Sequence, residues 1–248
     1  MPDLKISLIT VSFNAESTIE RCIQSVLAQS FKNVEYIIID GSSTDNTLQI
    51  IHKYQQDIQI LISEPDKGIY DAMNKGIKMA SGDVIGILNA DDIFAYDGVL
   101  SDIALLFNKQ KCDIVSADLN YVDQQGKVIR KWKSGEYEQG MFNWGWMPPH
   151  PTFYCKKELF QQFGFYSLEY GTAGDYELML RFMHNTPINA CYLNKIIINM
   201  KTGGISNKSF SNRVKGLLFD LKAMRNNGIK APVIRLLFKP IRKISQYF

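Results

Sequence analysis

No apolar run in this 248-residue chain approaches the roughly 18 to 20 residues needed to span a bilayer, so no transmembrane helix is expected. The start, "MPDLKISLITVSFN", has no basic segment followed by an apolar one, and no secretory signal is read there. The expected location is cytoplasmic, at most peripheral on the inner face of the cell membrane. Cysteine is scarce. Cys22, Cys112, Cys155 and Cys191 are far apart, without paired metal-ligand spacing, and three lie in apolar stretches; buried reduced thiols are expected. No Gly-x-Gly-x-x-Gly follows the first apolar run, and "SFNAEST" holds neither glycine nor cation, which argues against a dinucleotide oxidoreductase and a nucleotidyltransferase. Acids almost vanish from residues 201–248, where 11 lysines and arginines face only Asp220; that net +10 leaves −7 on the first 200 residues. An acidic body with a basic tail is not a nucleic-acid-binding pattern, so no nucleic-acid partner is expected. It suits a tail meeting an anionic surface.

What is present is ordinary for a globular protein: 46% hydrophobic and 21% charged residues, in a chain long enough for one large domain or a domain with an appendage. There is no internal repeat. The first half alternates apolar, β-branched strands ("KISLITVSF", "VEYIIID", "IQILIS", "DVIGILN") with helical patterns ("AESTIERCIQSVLAQS", "NTLQIIHKYQ", "IYDAMNKGIKMAS"). Near-continuous apolar strands point to a mostly parallel sheet with helices on both faces. The second half is less regular. It offers strands in "CDIVSADLNYV", "KVIRKWK", "TFYCK" and "NKIIINMK", helices in "GVLSDIALLFNKQ", "KELFQQF" and "YELMLRFMHN", and a long loop, "EYEQGMFNWGWMPPHP". Sites on such sheets gather beyond the carboxyl ends of the strands. Here those ends read "SFNAES", "DGSSTDN", "SEPDKG" and "NADD". All are polar, and three carry acids close to the strand end.

Taken together, "ITVSFNAESTIERCIQSVLAQ", "IIIDGSSTDNT", "SEPDKGIYDAMNKGIKMASGD", "LNADD" and "AGDYEL" resemble family 2 glycosyltransferases over about residues 4–205. The order and spacing of the pieces make the match specific. The resemblance implies an α/β GT-A fold: a Rossmann-like, mostly parallel sheet flanked by helices, with an α+β acceptor-side half and a basic C-terminal helical tail. It places a nucleotide-binding half at 1–110, an acceptor half at 111–205 and a helical extension at 206–248. It also implies a metal-dependent, inverting enzyme. That enzyme takes a nucleoside-diphosphate sugar, with a UDP-sugar favoured, and a glycan or lipid-linked acceptor in surface-polysaccharide synthesis; the alternative is a non-catalytic nucleotide-sugar-binding module, which has no need of an acid at Asp175.

Each motif has its own chemistry. Asp40, at a strand end, can accept an N–H from a nucleobase edge, with Ser42 supplying a hydroxyl; the alternative is a turn cap. Thr10, Phe13, Asn14 and Glu16 match the family's nucleoside-facing segment, although Glu16 also suits the first turn of a helix. Asp66, Lys67 and Gly68 border the nucleotide by resemblance, and Lys67 can meet a phosphate as a point charge or be a solvated loop lysine. In "LNADD" the family pattern is Asp-X-Asp. Asp91 is then the ligand of a divalent metal, Mn2+ or Mg2+, with Asp92 as a second candidate; Asn89 replaces the first acid and, with Ala90, stays on the donor side. Asp175 matches the catalytic base; its alternative is an N-cap. Trp144, Trp146 and His150 offer an acceptor surface or a hydrophobic plug. The tail, residues 231–248, interleaves apolar residues with Arg235, Lys239, Arg242 and Lys243, a profile that suits an anionic membrane interface, the alternative being a helix packed on the domain.

Overall fold

Strand β1 (Ile6–Ser12) is buried along its whole length, and β2 (Val34–Asp40) along all but its first residue, because both faces of the sheet are covered. Ile9, Val11, Ile37 and Ile39 point into one core and Leu8, Tyr36 and Ile38 into the other, the alternation a strand imposes. The computed structural model describes residues 4–184, 186–201, 210–236 and 238–239. Along the chain follow α1 (Ile19–Leu27), α2 (Thr47–His52), β3 (Ile60–Ser63), α3 (Ile69–Met79), β4 (Val84–Ile87), β5 (Ile93–Phe94), α4 (Val99–Gln110), β6 (Ile114–Val122) and β7 (Val128–Trp132). Then come β8 (Tyr154–Lys156), α5 (Lys157–Phe163), α6 (Gly174–Met183), β9 (Ala190–Lys201), α7 (Phe210–Asn226) and α8 (Pro232–Leu236).

One sheet joins all nine strands in the order β3-β2-β1-β4-β8-β6-β9-β5, with β7 beside the later part of β6. Strands β1 to β4 are mutually parallel. β8 is antiparallel to both β4 and β6, so β6 and its parallel partner β9 run with the first four strands. The architecture is the mixed α/β, mostly parallel type expected. Helix α1 buries Ile19, Cys22, Ile23 and Val26, an i, i+3, i+4, i+7 stripe. α3, α5, α6 and α7 serve the opposite core, where Ala223 and Met224 of α7 are wholly buried. The C-terminal helical extension thus shares its core with the α3 and α6 layer. The 205/206 boundary, Leu237 and the tail positions Pro240, Ile241, Arg242, Lys243, Ile244 and Phe248 lie outside the described residues.

The expectation of four reduced thiols is corrected. Cys112 and Cys191 form a disulfide with Cα atoms 5.9 Å apart, while Cys22 and Cys155 are free and buried. The cause is strand register, invisible in spacing: β9 lies beside β6 with Cys191 opposite Val115, which brings together residues 79 apart.

Glu35 closes the end of the sheet away from the strand carboxyl termini. Its carboxylate accepts from Ser7 Oγ, Ser81 N and Oγ, and Lys5 Nζ. Burial pushes its pKa up, but these donors outweigh burial and bring it from 4.5 down to about 2. A depressed folded-state pKa stabilises the fold above pH 4.5, and the contribution fades as pH falls toward about 2. Glu35→Gln should therefore cost about 1–3 kcal/mol at neutral pH. Urea titrations of both proteins should converge as the pH is lowered through that window; a constant gap would refute the assignment.

Candidate active site

Three neighbouring strands end in register at Ser12, Asp40 and Ser63, and this creates the first feature of the site. Asp40 Oδ1 accepts from Ser12 Oγ at 3.0 Å and from Ser43 Oγ at 2.5 Å. Asp40 Oδ2 accepts from Ser63 Oγ at 2.8 Å and the Ser43 N–H at 2.9 Å. A carboxylate takes about four such bonds, so an incoming N–H must displace a donor, and a rotatable hydroxyl is the donor able to yield. The loops above are cross-braced. Asn14 Oδ1 accepts the Thr44 N–H, and its own N–H goes to Ser43 Oγ. Glu16 Oε2 accepts from Asn46 N and Nδ2, while the Glu16 N–H reaches Asp45 Oδ2. Glu16 thus ties loop to loop rather than serving the first turn of α1.

Beside this brace Phe13 is 65% exposed. A Cβ on Gly41 would stand 2.5 Å from Asp66 Oδ2 and 3.4 Å from the Phe13 ring, so the missing side chain lets these two approach. Asp66 Oδ1 accepts from the N–H of Gly68, whose φ of 109° a side chain would resist. Ser42 holds a φ of 61°, and Lys67 is exposed. Thr10 requires correction. It is wholly buried, its hydroxyl 3.2 Å from Tyr36 Oη, because strand alternation turns it into the core shared with Leu8.

The "LNADD" turn follows β4, closed by the Asp92 N–H on Asn89 O at 3.0 Å. Its two acids have different surroundings. Asp91 is half-buried and lines a groove with Arg21, Asp123, Asn199 and Lys201; burial raises its pKa and the Lys201 charge opposes that. Asp92 is wholly buried, and burial, then the Asp91 charge, holds its carboxyl well above the usual range. Among the described residues, Asp92 Oδ1 and Asn89 Oδ1 are buried and have no hydrogen-bond partner. Among the described residues no cluster of three or more His, Cys, Asp or Glu side chains could cage a metal. One or two carboxylates plus oxygens from a bound diphosphate and water remain a chemically sufficient set for Mg2+ or Mn2+, and the unsatisfied oxygens fit such a cation.

Asp175 is the second residue of α6; the N-cap position belongs to Ala173, so Asp175 is not the helix N-cap. Its Oδ1 accepts from the Tyr176 N–H at 2.8 Å and from Tyr70 Oη at 3.3 Å, and it forms no salt bridge among the described residues. Tyr70, the donor of the second bond, is not among the candidates named from sequence. Its signal was position, two residues beyond Gly68 in the first turn of α3. Its ring stacks on Tyr166 at 5.3 Å, and a Cβ on Gly174 would stand 2.7 Å from it. Tyr166 Oη is 2.8 Å from His150 Nε2; burial lowers the His150 pKa, with the Asp175 charge opposing. Helix α3, which follows the Asp66–Gly68 loop, and Asp175 are thereby joined through the Tyr70 hydroxyl. Tyr70→Phe should slow turnover on the order of fivefold, the loss of about 1 kcal/mol for one hydrogen bond, and leave the donor Kd unchanged. A pH profile of kcat decides it; an identical profile and rate would leave Tyr70 a packing residue only.

Trp146 also requires correction as an acceptor surface: it is 3% exposed, packed against Phe142 and Tyr137, with Nε1–H bonded to Ser134 O. Trp144 is 53% exposed, with the Arg235 guanidinium 4.2 Å from its ring centre and Phe238 against it. Lys239 pairs with Asp220 at 2.8 Å. Of the tail, then, Arg235, Leu236, Phe238 and Lys239 turn onto the domain, while Val233 and Ile234 are 59% and 61% exposed.

Residues 7–170 match the family model described as Glycosyl transferase family 2. The chain belongs to that family. Among curated relatives it is 28% identical over 231 residues to the Escherichia coli protein named UDP-Glc:alpha-D-GlcNAc-diphosphoundecaprenol beta-1,3-glucosyltransferase WfaP, covering 91% of this chain and 88% of that one. It is 25% identical over 205 residues to the PGL/p-HBAD biosynthesis glycosyltransferase Rv2957 of Mycobacterium tuberculosis, 81% and 78% of the two chains. Among solved structures, residues 1–349 of S. aureus TarS in complex with UDP-GlcNAc superpose with a TM-score of 0.75 at 19% identity, over 98% of this chain and 73% of that one. The mannosyltransferase PcManGT of Pyrobaculum calidifontis, with GDP-Man and Mn2+, gives 0.67 at 18% identity, over 98% and 69%. At such identities the likeness is one of fold. The protein is a family 2 glycosyltransferase, and among its described residues no helix is long and apolar enough to cross a membrane.

Proposed function

We propose that this glycosyltransferase moves a sugar from a UDP-sugar to a hydroxyl of a lipid-linked or glycan acceptor, with inversion at the anomeric carbon. The observation that carries it is the placement of Asp175, half-buried, free of ion pairs among the described residues, and hydrogen-bonded to Tyr70 beside the Asp66–Gly68 loop. Phe13 offers an exposed ring for the base, Asp40 and its serines the polar edge, and Lys67 a cation for phosphate. A divalent cation held by Asp91, with Asp92 and Asn89 behind it, would supply positive charge to the diphosphate. Asp175 takes the proton as the acceptor oxygen bonds to the anomeric carbon and the bond from that carbon to the diphosphate breaks. WfaP is named for a UDP-glucose donor and a diphosphoundecaprenol-linked acceptor, which supports the donor and acceptor classes. Hydrolysis screened across UDP-, GDP- and dTDP-sugars tests the donor: turnover led by UDP-sugars is expected, and turnover led by another base would sink the assignment. The exposed Val233 and Ile234 support the reading of the tail as a peripheral membrane contact.

A further inference from the structure

Helix α7 has an apolar face on each side. Its inner face places Ala223 and Met224 in the core and sets Phe219 against Gly171. Its outer face carries Val214, Leu217 and Leu218 at i, i+3 and i+4, exposed by 41%, 46% and 61%. The helical period extends that stripe to Leu221 and Arg225 and flanks it with Lys215. A helix turned to water on its outer side presents polar residues there; an apolar stripe facing outward needs something to cover it.

We propose that the outer face of α7, with Val233 and Ile234 of α8, lies on an anionic lipid bilayer. Charge decides the occupant. Residues 201–248 carry 11 cations against one acid, and that acid, Asp220, is turned inward to Lys239. Lys215 and Arg225 are exposed on α7 beside the stripe and Lys230 is exposed shortly beyond the helix, so the surface matches lipid phosphates as well as acyl chains. The inference deepens the proposed function and rests on its membrane-side reading: docking through α7, whose inner face packs beside α6, would fix the acceptor side of the enzyme relative to a lipid-linked substrate. It extends the contact from the tail to a helix anchored in the core.

The test is co-sedimentation of the full chain with vesicles of phosphatidylcholine alone or with about 30% phosphatidylglycerol. Binding to the anionic vesicles only is expected. Leu217→Gln with Leu218→Gln should weaken it on the order of 10²-fold. Lys215→Gln with Arg225→Gln should weaken it roughly 25-fold, about fivefold per cation. Hydrolysis of UDP-sugar and the circular dichroism spectrum should be unchanged in both pairs, since all four side chains face outward. If the leucine pair perturbs folding, the charge pair alone decides. Absence of binding to anionic vesicles, or binding that survives both pairs, would overturn the proposal. So would a dimer that the leucine pair dissolves while vesicle binding persists, since the face would then join two copies. Vesicle binding without UDP-sugar turnover would instead fail the donor assignment and leave the docking face standing.

Discussion

Asp175→Asn is expected to bind the donor as the parent does and to transfer sugar slower by on the order of 10²-fold or more, the scale for losing a general base. The change conserves shape and keeps an oxygen to accept from the Tyr176 N–H and Tyr70 Oη, so the start of α6 should hold. What it removes is the capacity to take a proton. Ala173 occupies the N-cap position, which separates this outcome from a simple loss of helix stability. Calorimetry with UDP-sugar and a transfer assay are read side by side. Unchanged turnover would reduce Asp175 to a first-turn acid. Lost donor binding would move it into the nucleotide site, and either result sinks the base assignment.

The fold was legible where chemistry repeats along a strand and stops abruptly. Residues 34–40 are apolar except at Glu35 and Asp40, and both acids proved to sit at sheet ends, one bound by Lys5 and serines, the other by three serines. Short strands escaped notice. β5 spans only Ile93–Phe94 and gains its identity from antiparallel pairing with β9, not from its own pattern. The same limit explains the disulfide: Cys112 and Cys191 meet because β6 and β9 are neighbours, a fact no local spacing encodes. At the site, the acids at strand ends could be read from type and position, whereas side-chain direction could not. Thr10 and Trp146 are polar-edged residues in site-like segments, yet one strand pleat and one loop turn put them in the core. Tyr70 is the converse case. Its phenol looks like helix surface until α6 brings Asp175 against it.

The adjacent acids of "LNADD" set the last expectation: Asp91→Asn should nearly abolish transfer, and Asp92→Asn should be milder. Asp91 lines the groove with Lys201 and Arg21, while Asp92 is wholly buried. A cation reaching a diphosphate from solvent meets Asp91 first. Its charge would relieve the repulsion between the adjacent carboxylates, one half-buried and one wholly buried, where among the described residues Asn89 donates to Asp92 at 3.4 Å. Mn2+ binding in the presence of UDP, followed by electron paramagnetic resonance, reads this without relying on turnover. Asp91→Asn should lose the bound signal and Asp92→Asn should retain most of it. Chelation of the parent should remove both signal and activity, and added Mn2+ should restore them. Equal losses in the two variants would make Asp92 a ligand of the same rank. Full transfer in excess chelator would mean that Lys201, Arg21 and Lys67 neutralise the diphosphate by themselves, and the metal assignment would fall.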